Sequence, residues 1–366
     1  MSDAPAFQAP PFCPNPRCKF HGDADEPWAW VRAGFFRRAT APHRVQRFRC
    51  DHCGRYFSEQ TFRTTYWLKR PELLLPVAEQ LVQCAALRQI ARPLHASPQT
   101  IALHAARIAR HCLLFHQTLR PRGPHPEPLV LDGFQSFESS QYHPTWFHLV
   151  AGQRSHFFHG FTDSELRRSG AMSPAQRRRR AEIEAARGRP DPRSIQREVA
   201  RLLGIVAPEP QALTLYSDQH PDYARALRDL PHLQVTHVTI SSRAARTPAN
   251  PLAAINLLDL LIRHCSANHK RETIAFPKRR QCAAERLWIF LAWRNYIKWF
   301  SERKHDGTPA MRAGVCARRW NFAEVLAARL FPARVPLPER WADYYWRRIS
   351  SRDLSHCRTH ALKYAA

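Results

Sequence analysis

PLVLDGFQSF, residues 128–137, sets the reading of everything around it. Leu129, Val130 and Leu131 form a short apolar run that leads straight into Asp132. Short apolar runs bounded by turn formers read as buried strands. LTLYSDQHPDY, residues 213–223, repeats the pattern as a second apolar strand ending in an acid, Asp218. Between the two lie WFHLVAG (146–152) and SHFFHGFT (155–162), read as strands that turn near Gly152. A polar insertion of about residues 167–210 follows, with four arginines at Arg177–Arg180. Beyond Asp218 the spacing predicts a helix over Tyr223–Leu230 and a strand over Leu233–Ile240.

Three strands, an inserted region, a strand, a helix, a strand and then helices is the order expected of an RNase H-like fold. That fold is an α/β mixed sheet with flanking helices. In it the two leading acids lie on adjacent strands. The chain has only 14 Asp, so two that end buried-looking strands stand out. The competing role for each is a turn or helix-cap aspartate.

The 366 residues carry 56 Lys+Arg against 30 Asp+Glu, a formal charge of +26. Of the basic residues 49 are Arg and 7 are Lys, a bias that trades one cation for another and leaves the charge alone. The shortage of acids therefore points to a polyanionic partner, nucleic acid before membrane. A 44% hydrophobic content can bury a core and excludes full disorder. The apolar stretches, such as Leu287–Leu291, fall short of the roughly 18–20 residues that span a bilayer, so no membrane role is expected. MSDAPAFQAPPF has neither a basic n-region nor an apolar h-region, so the expected location is cytoplasmic, nucleoid-associated in a bacterium.

Cys13-x4-Cys18 and Cys50-x2-Cys53 lie on either side of two strand-like runs, WAWVRAGFF and VQRFRC. Two such pairs on a β-hairpin make a zinc ribbon, here residues 1–65. Gly54 permits the backbone turn that lets amides face the sulfurs. Four protein ligands leave no open position, so the single Zn²⁺ is expected to be structural. His21 and His52 are the alternative ligands, and thiols that merely pack are the competing reading.

Residues 66–120 read as an all-α helix-turn-helix region. A helix over Leu87–Leu94 meets a turn at His95–Ala96; Ser97 is then a natural N-cap, Pro98 sits at N1, and a second helix runs from Gln99. On such a recognition helix Gln99, Thr100 and His104 would face the major groove, and Arg107 and Arg110 would reach phosphates. An ordinary helical hairpin in a bundle fits the same pattern.

A third acid must come from a later helix, PLAAINLLDLLIRHCSANHKRET. Asn256, Asp259, Arg263, Ser266 and Lys270 fall at offsets 0, +3, +7, +10 and +14, a helical polar stripe on an otherwise apolar helix. Asp259 is its only acid. On a continuous helix Glu272 would lie roughly 20 Å further along and about 220° round, so it and Asp259 cannot share one site. Glu285, past Pro277 on the next helix, is the remaining candidate. The competing role for Asp259 is an i,i+4 pair with Arg263.

The order CPNPRC, CDHCGRYFS, helix-turn-helix, LVLD, YSD and NxxDxxxR resembles the transposases of bacterial insertion sequences, members of the DDE class with an RNase H-like catalytic domain. ANHKRETIAFPKR is similar to the R-x-T-x-x-F-x-K region after the third acid in relatives of the smallest insertion sequences, and TPAMRAGV (308–315) to the sequence that often closes such domains. The resemblance covers about residues 10–315. Many such enzymes have Glu as the third acid, whereas here the matching helix offers Asn256 and Asp259.

The resemblance implies a catalytic domain over 121–315. In it Asp132, Asp218 and Asp259 would hold two Mg²⁺, with Mn²⁺ able to substitute. The implied reaction is cleavage at the ends of the element followed by 3′-OH strand transfer into target DNA. Arg263, Lys270, Arg271, Lys278, Arg279 and Arg280 would lie along phosphates, with His220 near the scissile one or capping a helix. A homodimer or higher oligomer on DNA is expected. The alternative function is a sequence-specific DNA-binding regulator, or a domesticated transposase with an inactive catalytic domain. RLWIFLAWRNYIKWFSER reads as a long helix over Glu285–Arg303 with its tryptophans in the core, and residues 316–366 as a basic helical tail.

Overall fold

Runs with a period of two and runs with a helical period divide the chain cleanly, and each kind buries its own apolar face. The structure, a computed structural model, describes residues 9–22 and 25–351. Strands β1 (Trp30–Arg37), β2 (Arg44–Cys50) and β3 (Tyr56–Ser58) form a small antiparallel sheet in that order. Phe12, Phe20, Phe48, Phe57 and Phe62 pack beside the cysteines, joined by Phe331 from far along the chain.

Three helices follow: α1 (Leu74–Leu81), α2 (Leu87–Ala91) and α3 (Pro98–Leu119). Ser97 Oγ accepts from the Thr100 amide at 3.0 Å and Pro98 opens α3, the predicted cap. Helix α2 stops short of Leu94, and the turn closes through His95 at φ +45°.

Then come β4 (Leu129–Phe137), β5 (Pro144–Gly152), β6 (Phe158–Glu165), α4 (Pro174–Arg187), α5 (Ser194–Val206), β7 (Gln211–Ser217), α6 (Pro221–Arg228), β8 (Leu233–Thr239) and α7 (Ala253–Cys265). The five strands form one mixed sheet in the order β6-β5-β4-β7-β8. The pairs β4–β5 and β5–β6 are antiparallel, whereas β4–β7 and β7–β8 are parallel. Side chains alternate across a strand. Leu129 and Leu131 of β4 therefore join Val199, Leu202 and Leu203 of α5 and Tyr223 of α6 on one face. Val130 and Phe134 join Ile255, Leu258 and Ile262 of α7 on the other.

Two corrections to the expected layout arise here. The insertion is shorter than 167–210, because α5 places Ile195, Val199, Leu202 and Val206 on one helical stripe and covers β5 and β6. Helix α4, with its arginine run, buries no residue and is the part that projects. Strand β4 also continues beyond the acid to Phe137, because Phe134 and Ser136 are buried along β5; Asp132 lies inside the strand, not at its end.

The last elements are α8 (Arg280–Ala292), α9 (Pro309–Arg312), α10 (Phe322–Ala327) and α11 (Glu339–Tyr345). The long helix expected over 285–303 is broken: α8 passes into a π-helical turn, Trp293–Ile297, and the chain is extended at Lys298. Trp288 is fully buried, as a core aromatic should be. Helix α3 lies along α8, and α10 and α11 pack on α3 as well. Residues 66–120 thus share one apolar core with α7, α8, α10 and α11. The segment after 315 is no loose tail as far as it is described: Trp341 is buried and donates Nε1 to the Phe161 carbonyl at 3.1 Å.

Candidate carboxylate site and cysteine centre

The sulfur ligands come together as the spacing requires. Cys13, Cys18, Cys50 and Cys53 bring their Sγ atoms within 4.8 Å of one another, with Cys13 to Cys53 at 3.6 Å and Cys18 to Cys50 at 3.9 Å. Gly54 stands at φ +70° and returns its amide to the Cys50 carbonyl at 2.9 Å, closing the knuckle. Trp28 Nε1 donates to Cys50 Sγ at 3.3 Å, the outer-shell contact that steadies a thiolate. Burial pushes the Cys13 and Cys18 thiols up. Cys53 is the exposed member of the set, and although partial desolvation raises it, donors from Asn15 and the Arg55 backbone draw it down to about 7. Four sulfurs this close can hold a metal ion such as zinc, with no position left for water. Neither histidine belongs to the set: His21 Nδ1 bonds the Cys13 carbonyl at 2.8 Å, and exposed His52 packs edge-on to Phe20.

The acids meet through sheet register. Leu131 of β4 pairs in parallel with Ser217, the last residue of β7, so Asp132 inside β4 and Asp218 just past the end of β7 directly follow the last paired rung. Asp132 lies on the face that carries Val130, and α7 packs across β4 and β5 on that face with Asp259 half-buried on it. Burial, with the charges of Asp218 and Asp259 adding to it, pushes the Asp132 carboxyl up to about 7 against a hydrogen bond from Gly133 and the attraction of Arg246. Among the described residues the three carboxylates do not draw within the 4.8 Å that gathers the cysteines.

Helix α7 ends at Cys265, capped by Ser266, so the continuous helix through Glu272 does not form and Glu272 is exposed in a loop. Glu285 is buried on α8 against Arg347 at 2.9 Å and Gln281 at 3.2 Å, a structural ion pair. Of the three candidates for the third acid, the structure brings Asp259 alone to Asp132 and Asp218. Its carboxylate is held by Arg263, whose Nε lies 3.1 Å from both oxygens.

Several residues around these acids are not evident from the sequence pattern. Gly133 lies under the indole of Trp146; a Cβ there would stand 1.7 Å from Trp146 Nε1. Trp146 meets the His220 ring edge-on at 5.6 Å, and His220 lies against Tyr223. His220 caps α6, with its Nδ1 accepting from the Asp222 amide and its own amide donating to Asp218 Oδ1 at 2.9 Å. The Tyr223 hydroxyl is buried without a hydrogen-bond partner among the described residues, and burial plus Asp132 and Asp218 raise its pKa. A further acid, Asp163 on β6, is taken by Arg280 at 3.1 Å and Arg340 at 2.9 Å and by the Tyr344 hydroxyl. Burial alone would raise Asp163, but those two guanidinium groups hold it below the usual carboxylate range.

The expected DNA contacts divide into two groups. Lys270, Arg271 and Lys278 are exposed, and Gln99 and Thr100 open α3 with Gln99 exposed. Lys270 and Arg271 join Arg168 and Arg263 around a cavity of about 390 Å³ beside Gln135 and Phe137 of β4. The others are consumed by the fold. His104 is buried, its ring bonded to the Thr100 and Arg70 carbonyls at 2.8 Å each, so it does not face a groove. Arg107 donates to the Thr64 and Tyr66 carbonyls at 3.0 and 2.7 Å, and Arg110 lies over the Tyr345 ring at 5.3 Å. Arg279 is buried, and Arg280 bridges Asp163 and Glu165. No family model and no curated protein matches the sequence.

Proposed function

We propose that the chain is a DNA transposase of the DDE class, built on an RNase H-like domain, that cuts and joins DNA strands at a site formed by Asp132, Asp218 and Asp259. The observation that carries the reading is the convergence of these acids, one inside β4, one just past the end of the adjacent β7 and one on the crossing helix α7, where the charges of Asp218 and Asp259 both act on Asp132. Three mutually repelling oxygen donors suit hard divalent cations such as Mg²⁺. When bound, such ions supply a nucleophilic oxygen and stabilise the leaving one. The chain's own residues do the rest. Arg263 orients Asp259, the His220 amide orients Asp218, and Arg168, Lys270 and Arg271 offer cations to a phosphate backbone passing the far end of β4.

The strand order 3-2-1-4-5, with the first three antiparallel, supports the RNase H-like assignment. A DNA-binding protein whose catalytic domain has lost activity is favoured by one observation only, the Arg263 clamp across both oxygens of Asp259. Incubating the full chain with supercoiled plasmid separates the two readings. Nicked circles that need Mg²⁺ or Mn²⁺ and vanish in Asp132→Asn, Asp218→Asn and Asp259→Asn are expected. Nicking that survives all three substitutions rejects the carboxylate site, and DNA binding without nicking at any metal concentration supports the inactive form.

A further inference from the structure

A wide groove lies away from the aspartates. A cavity of about 1000 Å³ opens between the cysteine ribbon and the helical body, floored by Phe331 and Pro332. Arg38, Arg47, Arg55 and Lys69 line it, and no carboxylate does. Among the described residues none of these four cations is salt-bridged to an acid; Arg38 is spent on the Leu68 carbonyl, and Arg47, Arg55 and Lys69 are exposed, so their charge faces the groove uncompensated.

The aromatic residues along its walls are also displayed to solvent. Trp67 is 81% exposed and Tyr56 53% exposed, although burying large aromatic side chains normally stabilises a fold. Trp67 also sits at φ +59°, a backbone region that bulky residues rarely enter and that clusters at ligand clamps. The loop that holds it is over-determined: Arg38 grips the Leu68 carbonyl at 2.8 Å and Arg107 the Tyr66 carbonyl at 2.7 Å. Arg47 stacks over the Tyr56 ring at 5.3 Å, which places a cation and a π-face side by side.

We infer that this groove binds an unpaired nucleic-acid strand, whose bases stack on Trp67 and Tyr56 while Arg47, Arg55 and Lys69 track its phosphates. Aromatic platforms interleaved with cations are what a single strand needs, because every base offers a π-face and every linkage a negative charge. A duplex hides its base faces and would leave Trp67 without a partner. The inference deepens the DNA reading above and rests on it for the polymer. The groove would hold a strand freed at a cut or melted end.

Fluorescence anisotropy of the full chain with labelled oligothymidylate, oligouridylate and a blunt duplex tests it. No magnesium is added, so failure of the aspartate chemistry leaves this result untouched. The single strands should bind, and Trp67→Ala and Tyr56→Ala should each weaken them about 10-fold while the duplex loses much less. Tighter binding of oligothymidylate marks DNA as the strand held, and equal binding of both marks a groove that reads bases and phosphates without the sugar. Both side chains are exposed, so unchanged melting temperature and metal content verify that the variants fold. Wild-type affinity in both variants, or an equal loss for the duplex, overturns the inference.

Discussion

The indole of Trp146 lies across Gly133 so closely that a single added methyl group would stand 1.7 Å from its Nε1. Glycine at 133 is therefore a space requirement imposed from the strand beside it, and it directly follows the acid that Asp218 and Asp259 surround. Gly133→Ala should displace the indole and twist β4 at Asp132. An overpacked core site costs about 1–3 kcal/mol, and a shift of order 1 Å in a reacting group costs about 10²-fold in rate. Urea unfolding and plasmid nicking read the two effects. A Gly133→Ala chain that regains its rate when Trp146→Ala is added would locate the cause in this contact; normal activity in Gly133→Ala alone would show that the geometry at Asp132 does not depend on it.

The identity of the third acid gives three separable outcomes. Asp259→Asn should reduce metal-dependent nicking to background with little change in melting temperature, since Asp259 is half-exposed. Glu272→Gln, on an exposed loop, should leave the rate unaltered. Glu285→Gln should act on stability: it breaks a buried pair with Arg347, a change that typically costs about 3–5 kcal/mol. Activity lost in a stable Glu272→Gln protein would move the third ligand off α7.

Much of this was legible in the residues themselves. Apolar runs such as LVL and LTLYS name their strands because a buried strand has nothing else to be, and CxxCG names its turn because glycine alone enters it cheaply. Which polar residues of α3 the fold itself uses was not legible. His104 and Arg107 have the types and spacing of a recognition helix, yet they are bonded to carbonyls at Arg70, Thr64 and Tyr66. The helix is further surrounded by elements far along the chain; His111, for one, bonds Val325 at 2.6 Å. A helical period records how many faces are apolar and is silent on which partner covers a polar one. Asp163 makes the same point from the other side: its type and its place in a strand match those of Asp132, proposed as catalytic, and only the arginines from α8 and α11 mark it as structural.

The ribbon should depend on its metal, and the body should notice. Phe12 and Phe62 of the ribbon interlock with Phe331, and Arg329 donates to the Ala9 carbonyl. Cys50→Ser removes a buried ligand that also accepts from Trp28. Loss of bound zinc by elemental analysis, loss of the near-ultraviolet aromatic signal and a lower melting temperature are expected together, because folding and metal affinity are linked. Undiminished zinc in Cys50→Ser would place the metal elsewhere.

Acid should unfold this protein early, through its histidines. Burial lowers His111 and His156 to about 4 and His116, His148 and His269 to about 3, from an ordinary 6.5. His125, His159 and His237 shift in the same direction. The folded chain therefore binds fewer protons than the unfolded one between pH 6.5 and those lower values. The stability these groups contribute is complete above about pH 7 and is lost as pH falls, by roughly 1 kcal/mol per pH unit for each fully buried histidine. Asp132, raised to about 7, and Glu198 and Glu285, also raised by burial, work the opposite way, since their folded forms take up protons first and gain stability on acidification. The histidines outnumber them, so the urea midpoint should hold above about pH 7 and drop from there to pH 5 with an unchanged slope. A flat midpoint over that range would mean that these imidazoles are hydrated and that α3, β5 and β6 do not enclose them as the packing requires.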